Sequence, residues 1–344
     1  MRRPAVTWLL LCGLVLSAYG PILHGVGLIY EDTHWWSEIW TPVTLAPTWD
    51  LAHWSLSLNA WLGGGFHLTN VLIHCLNGWL VFVLVRRLLL REWSARRWRA
   101  AMGLGLPAAE DLTEMLHDQA AEGERMALPA LIACAAFLLH PIQTEAVAYL
   151  SSRWELVSTS LLLLACVAPW PLALIAGVLA MTTKASAMVV VLLLILVRGD
   201  SVWGDLLVFP ALLVSAMTLY ADRFGRLPYL FLSPYGIIEY AARQAVAIWR
   251  MLALVVVPWG QTVDHDWINV PGWAVALAIP ALLGSIVEVY RRRQTHPLLW
   301  LSACWILLAL APRFVIRAPE FVSEHHMYAP MVGVALLVGS WGRS

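Results

Sequence analysis

The chain has 344 residues, of which 60% are hydrophobic and only 13% are charged, and its 22 basic and 22 acidic side chains leave no net charge. Soluble domains carry about 25% charged residues, so this composition excludes an ordinary soluble domain, and the charge balance argues against a nucleic-acid partner. Apolar runs recur from end to end, which predicts an all-α polytopic membrane protein.

The apolar runs predict ten membrane spans and one further helix near 243–258. Several runs are shorter than the ~20 residues that cross a bilayer core, so their ends must recruit polar flanking residues. We expect all of them to form one transmembrane domain over 1–344 with no separate domain after it. The ten spans are expected at about 5–29, 66–85, 127–140, 154–168, 171–183, 185–197, 205–220, 272–290, 298–312 and 327–341.

Arginine clusters set the expected orientation, because cytoplasmic loops are rich in Lys and Arg. Clusters precede the first span, follow the second, and follow the span that ends near 290. With all three in the cytoplasm the spans alternate consistently, provided that the 243–258 helix is re-entrant or interfacial. The loop 86–126 is then a solvated cytoplasmic linker. The loop 30–65 is external, and its six tryptophans favour a position along the outer leaflet.

Most ionisable residues at span ends then fall on the external face, in five separate turns. Such groups are costly near a bilayer and tend to mark functional paths, so the five turns predict a shared cavity, although any single residue could be an interface anchor. Lys184 is the strongest candidate, because a lysine between two apolar runs needs a counter-charge or a bound anion. The turns contribute Glu31 and Asp32; His140, Glu145, Arg153 and Glu155; Lys184; Asp264, His265 and Asp266; and Glu324, His325 and His326.

Two other polar patterns predict structure rather than chemistry. The residues His67, Asn70, His74 and Asn77 share one face of the second span, which favours interhelical hydrogen bonds over a metal site. The five cysteines all fall in apolar segments without C-x-x-C spacing, so we expect neither a disulfide framework nor a cysteine-based zinc site.

The external residue types fit two functions. Arg and Lys hold phosphate groups, and a hydroxyl nucleophile needs a nearby Asp, Glu or His as base. An acid with Arg153 and Lys184 therefore suits sugar transfer from a polyprenyl-phosphate donor. The same pattern suits a transporter of an anionic substrate, although few polar residues continue towards the cytoplasmic face.

Four segments resemble one known family. From about Tyr30 onward, "FHLTNVLIHCLNGWLVFVL", "FLLHPIQTEAVAYLSSRWELVSTSLLLLA", "LVVVPWGQTVDHDW" and "SEHHMYAPMVGVALL" occur in the order seen in the membrane half of tetratricopeptide-repeat-linked protein O-mannosyltransferases. These enzymes are GT-C glycosyltransferases with bacterial relatives. The resemblance implies a GT-C-like bundle of about 10–11 transmembrane helices with a long first external loop.

The resemblance also implies roles for the external residues. A mannose-like sugar on polyprenyl phosphate would be transferred with inversion to a hydroxyl of a protein or glycan acceptor. The acidic pair Glu31 and Asp32 would supply the base, with Asp32 preferred, and Arg153 and Lys184 would hold the donor phosphate. The sugar or acceptor site would include His140, Glu145, Asp264, Asp266, Glu324 and His325. No metal or cofactor is expected, and the place implied is the bacterial inner membrane with the active face outward.

Departures from the family pattern keep an alternative open. The acidic pair reads Glu-Asp, Lys184 is followed by alanine rather than glutamate, and Glu324 is followed by His325 rather than arginine. We also expect no tetratricopeptide-repeat domain. A catalytically inactive relative that serves as a structural subunit of a larger membrane complex is therefore the second hypothesis.

Overall fold

A computed structural model describes residues 2–24, 51–103, 121–198, 236–262, 270–315 and 323–342, and these residues form helices and connecting turns with no strand among them. Short 3₁₀ segments lie at Pro141–Gln143, Ala185–Val189 and Glu324–Met327. The α-helices are α1 (Arg2–Ala18), α2 (Gly20–His24), α3 (Leu51–Trp61), α4 (Phe66–Gly103), α5 (Ala127–Leu139), α6 (Thr144–Ala148), α7 (Arg153–Val167), α8 (Trp170–Thr183), α9 (Val190–Arg198), α10 (Ile237–Val256), α11 (Gly272–Arg291), α12 (Pro297–Leu310), α13 (Pro312–Val315) and α14 (Met331–Trp341).

Three of the described helices are long and apolar enough to cross a membrane: Phe66–Ala95, Gly272–Arg291 and Pro297–Phe314. A fourth is possible if Ala121–Leu139 and Pro141–Ala148, which meet at 52°, form one broken span. The all-α class with membrane-spanning helices is therefore supported, whereas a count of ten to eleven spans is not confirmed. The predicted span 205–220 lies outside the described residues.

Several predicted spans are short helices in the structure. Helix α8 has 14 residues, which at 1.5 Å per residue gives about 21 Å, while the hydrocarbon core is ~30 Å thick. Helix α4 is longer than predicted, because its 38 residues continue through the first part of the predicted loop 86–126. The stretch "RRLLLREWSARRWRA" explains this continuation, since Arg, Leu, Ala and Glu are good helix formers.

The polar stripe of α4 makes the interhelical hydrogen bonds that the sequence predicts. The side-chain amide of Asn70 donates to the carbonyl oxygens of Val147 at 3.1 Å and Tyr149 at 2.9 Å. These carbonyls lie where α6 ends and the chain becomes extended, so they have no acceptor role within a helix. Asn70 therefore satisfies backbone groups that would be costly to leave unpaired.

The next two residues of the stripe tie α4 to α5, to α7 and to the turn before α14. His74 contacts the hydroxyl of Tyr328 at 2.8 Å and the carbonyl oxygen of Leu138 at 3.0 Å. Asn77 donates to the same hydroxyl and to the carbonyl oxygen of Leu156, both at 3.0 Å. Asn70, His74 and Asn77 are fully buried. The prediction of interhelical hydrogen bonding is confirmed for these three residues.

Arginines gather at one end of the bundle. Arg87, in the basic part of α4, donates to the carbonyl oxygen of Val167 in the last turn of α7, and Arg198 donates to that of Ala165 at 3.1 Å. Cations near a helix C-terminus satisfy its free carbonyls and interact favourably with its dipole. The N-terminus of α7, with Arg153, lies at the opposite end of the helix, so the polar turns and the arginine cluster are separated along the bundle.

Helix α10 lies across the end that carries the polar turns. The imidazole of His140 contacts the carbonyl oxygen of Val255 near its C-terminus, and the indole of Trp249 donates to the carbonyl oxygen of Ala278 at 3.1 Å. Its residues Gln244 and Met251 share a cavity with the turn before α14. The re-entrant or interfacial position expected for 243–258 stays a prediction.

Candidate functional site

Polar residues from three separate turns and the start of α7 meet at this end of the bundle. The group, named the polar cluster below, comprises Glu145 of α6, Glu155 of α7, Lys184 after α8, and Ser323, Glu324, His325 and His326 before α14. The side chains of Glu145 and Glu155 are only 8% and 9% exposed. Carboxylates this deeply buried require charged or hydrogen-bonding partners.

Glu145 binds the turn before α14 through both carboxylate oxygens. Its Oε1 accepts hydrogen bonds from the Ser323 hydroxyl at 2.6 Å and from Nδ1 of His325 at 2.7 Å. Its Oε2 accepts from the backbone N–H of His325 at 3.0 Å. Because Nδ1 of His325 donates, the lone pair of the neutral imidazole lies on Nε2. Glu145 therefore fixes both the position and the tautomer of His325.

Glu155 pairs with Lys184 and His326. The ammonium of Lys184 forms a salt bridge with Oε1 of Glu155, and Nδ1 of His326 contacts the same oxygen at 3.3 Å. Lys184 follows the last residue of α8, where the backbone turns extended, so its side chain can reach the start of α7. The counter-charge that the sequence required for Lys184 is thus supplied by Glu155.

His326 borders a cavity. The cavity is small and open, with about 20 Å³ for the centres of water molecules, and its polar lining includes Gln244, Arg313, Ser323 and His326. Nε2 of His326 is buried and has no hydrogen-bond partner among the described residues. Burial lowers the pKa of His326 well below its usual value, and the nearby charges of Arg313, His325 and Lys184 add to this effect. His326 is therefore neutral at pH 7.

Two further predicted residues stabilise the turns around the cluster. Glu324 is buried, and its Oε1 accepts a hydrogen bond from the backbone N–H of Thr262 at 2.9 Å. Nδ1 of His140 accepts from the backbone N–H of Ile142 at 3.1 Å and so caps the 3₁₀ segment that follows. His140 therefore shapes the turn, and its place in the sugar or acceptor site stays a prediction.

Arg153 lies outside the polar cluster and is fully buried. Its Nε donates to Oδ1 of Asn70 at 2.7 Å, one Nη donates to Oδ1 of Asn59 at 2.5 Å, and the other donates to the carbonyl oxygen of Phe66 at 2.6 Å. These bonds join α3, α4 and α7. The predicted role of Arg153 in binding the donor phosphate stays a prediction, and the contacts present give it a structural role.

The structure thus brings together Glu145, Lys184, Glu324 and His325 of the predicted site. The remaining predicted residues, Glu31, Asp32, Asp264 and Asp266, lie outside the described residues. The sequence analysis assigned no role to Glu155 or His326, which connect Lys184 to the turn before α14. The isolated charge of Lys184 was the signal that pointed towards such a partner.

Comparison of the chain with protein-family models, with curated proteins and with solved structures found no significant match. The described residues are all helical or in turns, and three or four of their helices are able to cross a membrane, which is consistent with an integral membrane protein.

Proposed function

We propose that this chain is a membrane glycosyltransferase of GT-C type, which transfers a mannose-like sugar with inversion from a polyprenyl-phosphate donor to a hydroxyl acceptor at the external face. The observation that carries the proposal is the polar cluster itself. Carboxylates, imidazoles and a lysine from separate turns meet at the bundle end opposite the arginines, beside an open cavity. Ionisable groups gathered in this way near a bilayer are expensive and typically functional.

The proposed reaction is a single displacement. Asp32 removes the proton from the acceptor hydroxyl, the acceptor oxygen forms a bond to the anomeric carbon, and the bond from that carbon to the phosphate oxygen breaks. Polyprenyl phosphate leaves with the electron pair of the broken bond and gains negative charge. A cation beside the leaving group stabilises this charge, and Lys184 is the described residue best suited to that task.

Lys184 would exchange partners during donor binding. Its side chain is 24% exposed while that of Glu155 is 9% exposed, so the ammonium is accessible from the solvent side of the pair. A donor phosphate would compete with Glu155 for the ammonium, because phosphate oxygens, like carboxylate oxygens, accept charge-assisted hydrogen bonds from it. Glu145 and Glu324 would hold the turn that carries His325, which faces the sugar or the acceptor.

The test is sugar transfer by the purified chain. A labelled polyprenyl-phosphate mannose and a panel of hydroxyl acceptors, peptides and glycans among them, should yield a labelled product that disappears in Asp32→Asn. Glu288→Gln serves as the matched control. Glu288 is half exposed, and its ion pair among the described residues is with Arg292, one helical turn away. Failure of the wild-type protein both to transfer the sugar and to bind the donor would refute the proposal.

A second candidate is an inactive GT-C relative that serves as a membrane subunit. One observation favours it: both cations that were predicted to hold phosphate already have partners within the protein. Lys184 forms a salt bridge with Glu155, and Arg153 donates hydrogen bonds to Asn59 and Asn70. Helix α11 would offer a surface for a partner, since only 6% of its most apolar 18 residues are buried. The test is to extract the protein in a mild detergent. Copurification of a second protein in fixed stoichiometry, together with no binding of the polyprenyl-phosphate donor, would support this function over sugar transfer.

A further inference from the structure

The polar cluster contains three residues whose ligand atoms are close enough to share one cation. One ligand-capable atom from each of Glu155, His325 and His326 lies within 4.8 Å of the others. Two ligands of a tetrahedral zinc, each bound at ~2.0–2.1 Å, lie about 3.4 Å apart. A bound metal would therefore need to draw these side chains together by at most about 1.4 Å, which side-chain rotation can supply.

We infer that Glu155, His325 and His326 form a binding site for a late first-row divalent cation, with Zn²⁺ as the best fit. Two imidazoles and one carboxylate are the protein ligands of a class of zinc site that keeps a fourth position open. Imidazole ligands favour zinc and its neighbours over Mg²⁺ and Ca²⁺, which prefer sites made of oxygen atoms.

One imidazole is oriented for this task. Nδ1 of His325 donates to Glu145, so in the neutral ring the Nε2 lone pair is the one available for ligation. Nδ1 of His326 contacts Glu155, so Glu155 would have to leave Nδ1 in order to share a cation with Nε2 of that ring. A carboxylate on the distal nitrogen of a metal-binding histidine is a common arrangement, because it fixes the ring and raises its basicity. Glu145 would be such an orienting group for His325.

A second observation independently points to a ligand. Nε2 of His326 is buried without a hydrogen-bond partner among the described residues, and its ring borders the cavity that Ser323 and Arg313 also line. An unsatisfied buried nitrogen costs free energy, and a metal ion bound to it would satisfy it. The two rings lie close together, with centroids 4.1 Å apart.

The charges around the site permit a cation but include a competitor. Glu145, Glu155 and Glu324 are negative, while Lys184 and Arg313 are positive. Lys184 binds an oxygen of Glu155, so metal binding and the Lys184–Glu155 salt bridge compete for that carboxylate. Removing the lysine should strengthen metal binding, whereas removing any of the three ligands should weaken it. The site stands on these contacts and does not depend on sugar transfer.

The test measures metal binding rather than activity. The full chain, purified in detergent with a tag that contains no histidine, is stripped with EDTA and titrated with Zn²⁺, and the bound metal is counted by mass spectrometry after desalting. Co²⁺ loading in parallel gives an absorption spectrum that reports tetrahedral coordination. The wild-type chain should bind about one Zn²⁺, and Glu145→Gln should weaken its affinity ~10-fold or more.

Variants then separate this site from other zinc-binding groups. His325→Ala, His326→Ala and Glu155→Gln should each lose the tight Zn²⁺, while His296→Ala, at an exposed position in the turn before α12, should retain it. Lys184→Met should raise the affinity by ~10-fold or more, because a competing positive charge is removed. Since this effect is a gain, it cannot arise from misfolding. Equal Zn²⁺ binding by the wild type and the His325→Ala/His326→Ala double variant would overturn the inference.

Discussion

Replacing Arg153 by methionine should destabilise the fold more than any surface arginine does. The guanidinium is fully buried and donates to Asn59, Phe66 and Asn70, so it joins three helices. Methionine has a similar apolar volume, which keeps the cavity term small. The substitution therefore isolates the hydrogen bonds.

The expected loss follows from the three acceptors left unpaired. A buried hydrogen bond contributes about 1 kcal/mol net, so three give about 3 kcal/mol. Hydrogen bonds in membrane proteins average ~0.6 kcal/mol, which sets a lower figure of about 2 kcal/mol. The desolvation cost of a buried charge does not cancel this loss, because Asn59 and Asn70 stay in place as buried polar groups without their partner.

The assay is equilibrium unfolding in detergent, followed by tryptophan fluorescence. Arg292→Ala is the control, because Arg292 is 57% exposed and pairs with Glu288 one turn away, an arrangement that contributes about 0.3–0.5 kcal/mol. If Arg153→Met lost no more stability than Arg292→Ala, the role of Arg153 as a link between α3, α4 and α7 would be wrong.

Three further predictions concern stability. In a double-mutant cycle followed by unfolding, Lys184→Met and Glu155→Gln should be coupled by ~1–3 kcal/mol, since each single change leaves a poorly exposed group unpaired; additive losses would contradict the pair. Acidification below pH ~6.5 should lower the free energy of unfolding by up to about 1.4 kcal/mol per pH unit. In the unfolded chain His326 takes up a proton in this range, whereas in the folded chain its lowered pKa keeps it neutral. Urea titrations at several pH values should show a smaller slope for His326→Gln. Gly333→Ala should cost ~1–3 kcal/mol, because its Cβ would lie 2.8 Å from a backbone oxygen of α12. Gly13→Ala, which meets open space inside α1, should melt at or slightly above the temperature of the wild type, because alanine is the better helix former.

The sequence predicted the polar stripe of α4 but not its partners. The spacing of Asn70, His74 and Asn77 places them on one helix face, and this periodicity is local information. Their partners Leu138 and Tyr328 are distant in the chain, so only the packed structure reveals them. The apolar runs similarly predicted the helices on either side of the turn at Pro141, but not that the turn itself contains a 3₁₀ segment and the short helix α6.

The candidate site was predictable as a region and not as a set of contacts. Alternation of the apolar runs put Glu145, Lys184 and His325 on one face, and the structure brings them to one end of the bundle. The sequence left open whether Lys184 pairs with a carboxylate of the protein or with a bound anion, because either would balance its charge. Glu155 answers this for the described structure, since the N-terminus of α7 lies beside the end of α8.

The central claim is that the polar cluster serves sugar transfer from a lipid-linked donor. The most direct test is the rate of transfer from labelled polyprenyl-phosphate mannose to a hydroxyl acceptor, by the purified wild-type chain and by Lys184→Met. The account predicts measurable transfer by the wild type and a loss of at least ~10²-fold in the variant, as expected when a group that stabilises developing charge is removed. Transfer at an equal rate by both would contradict it.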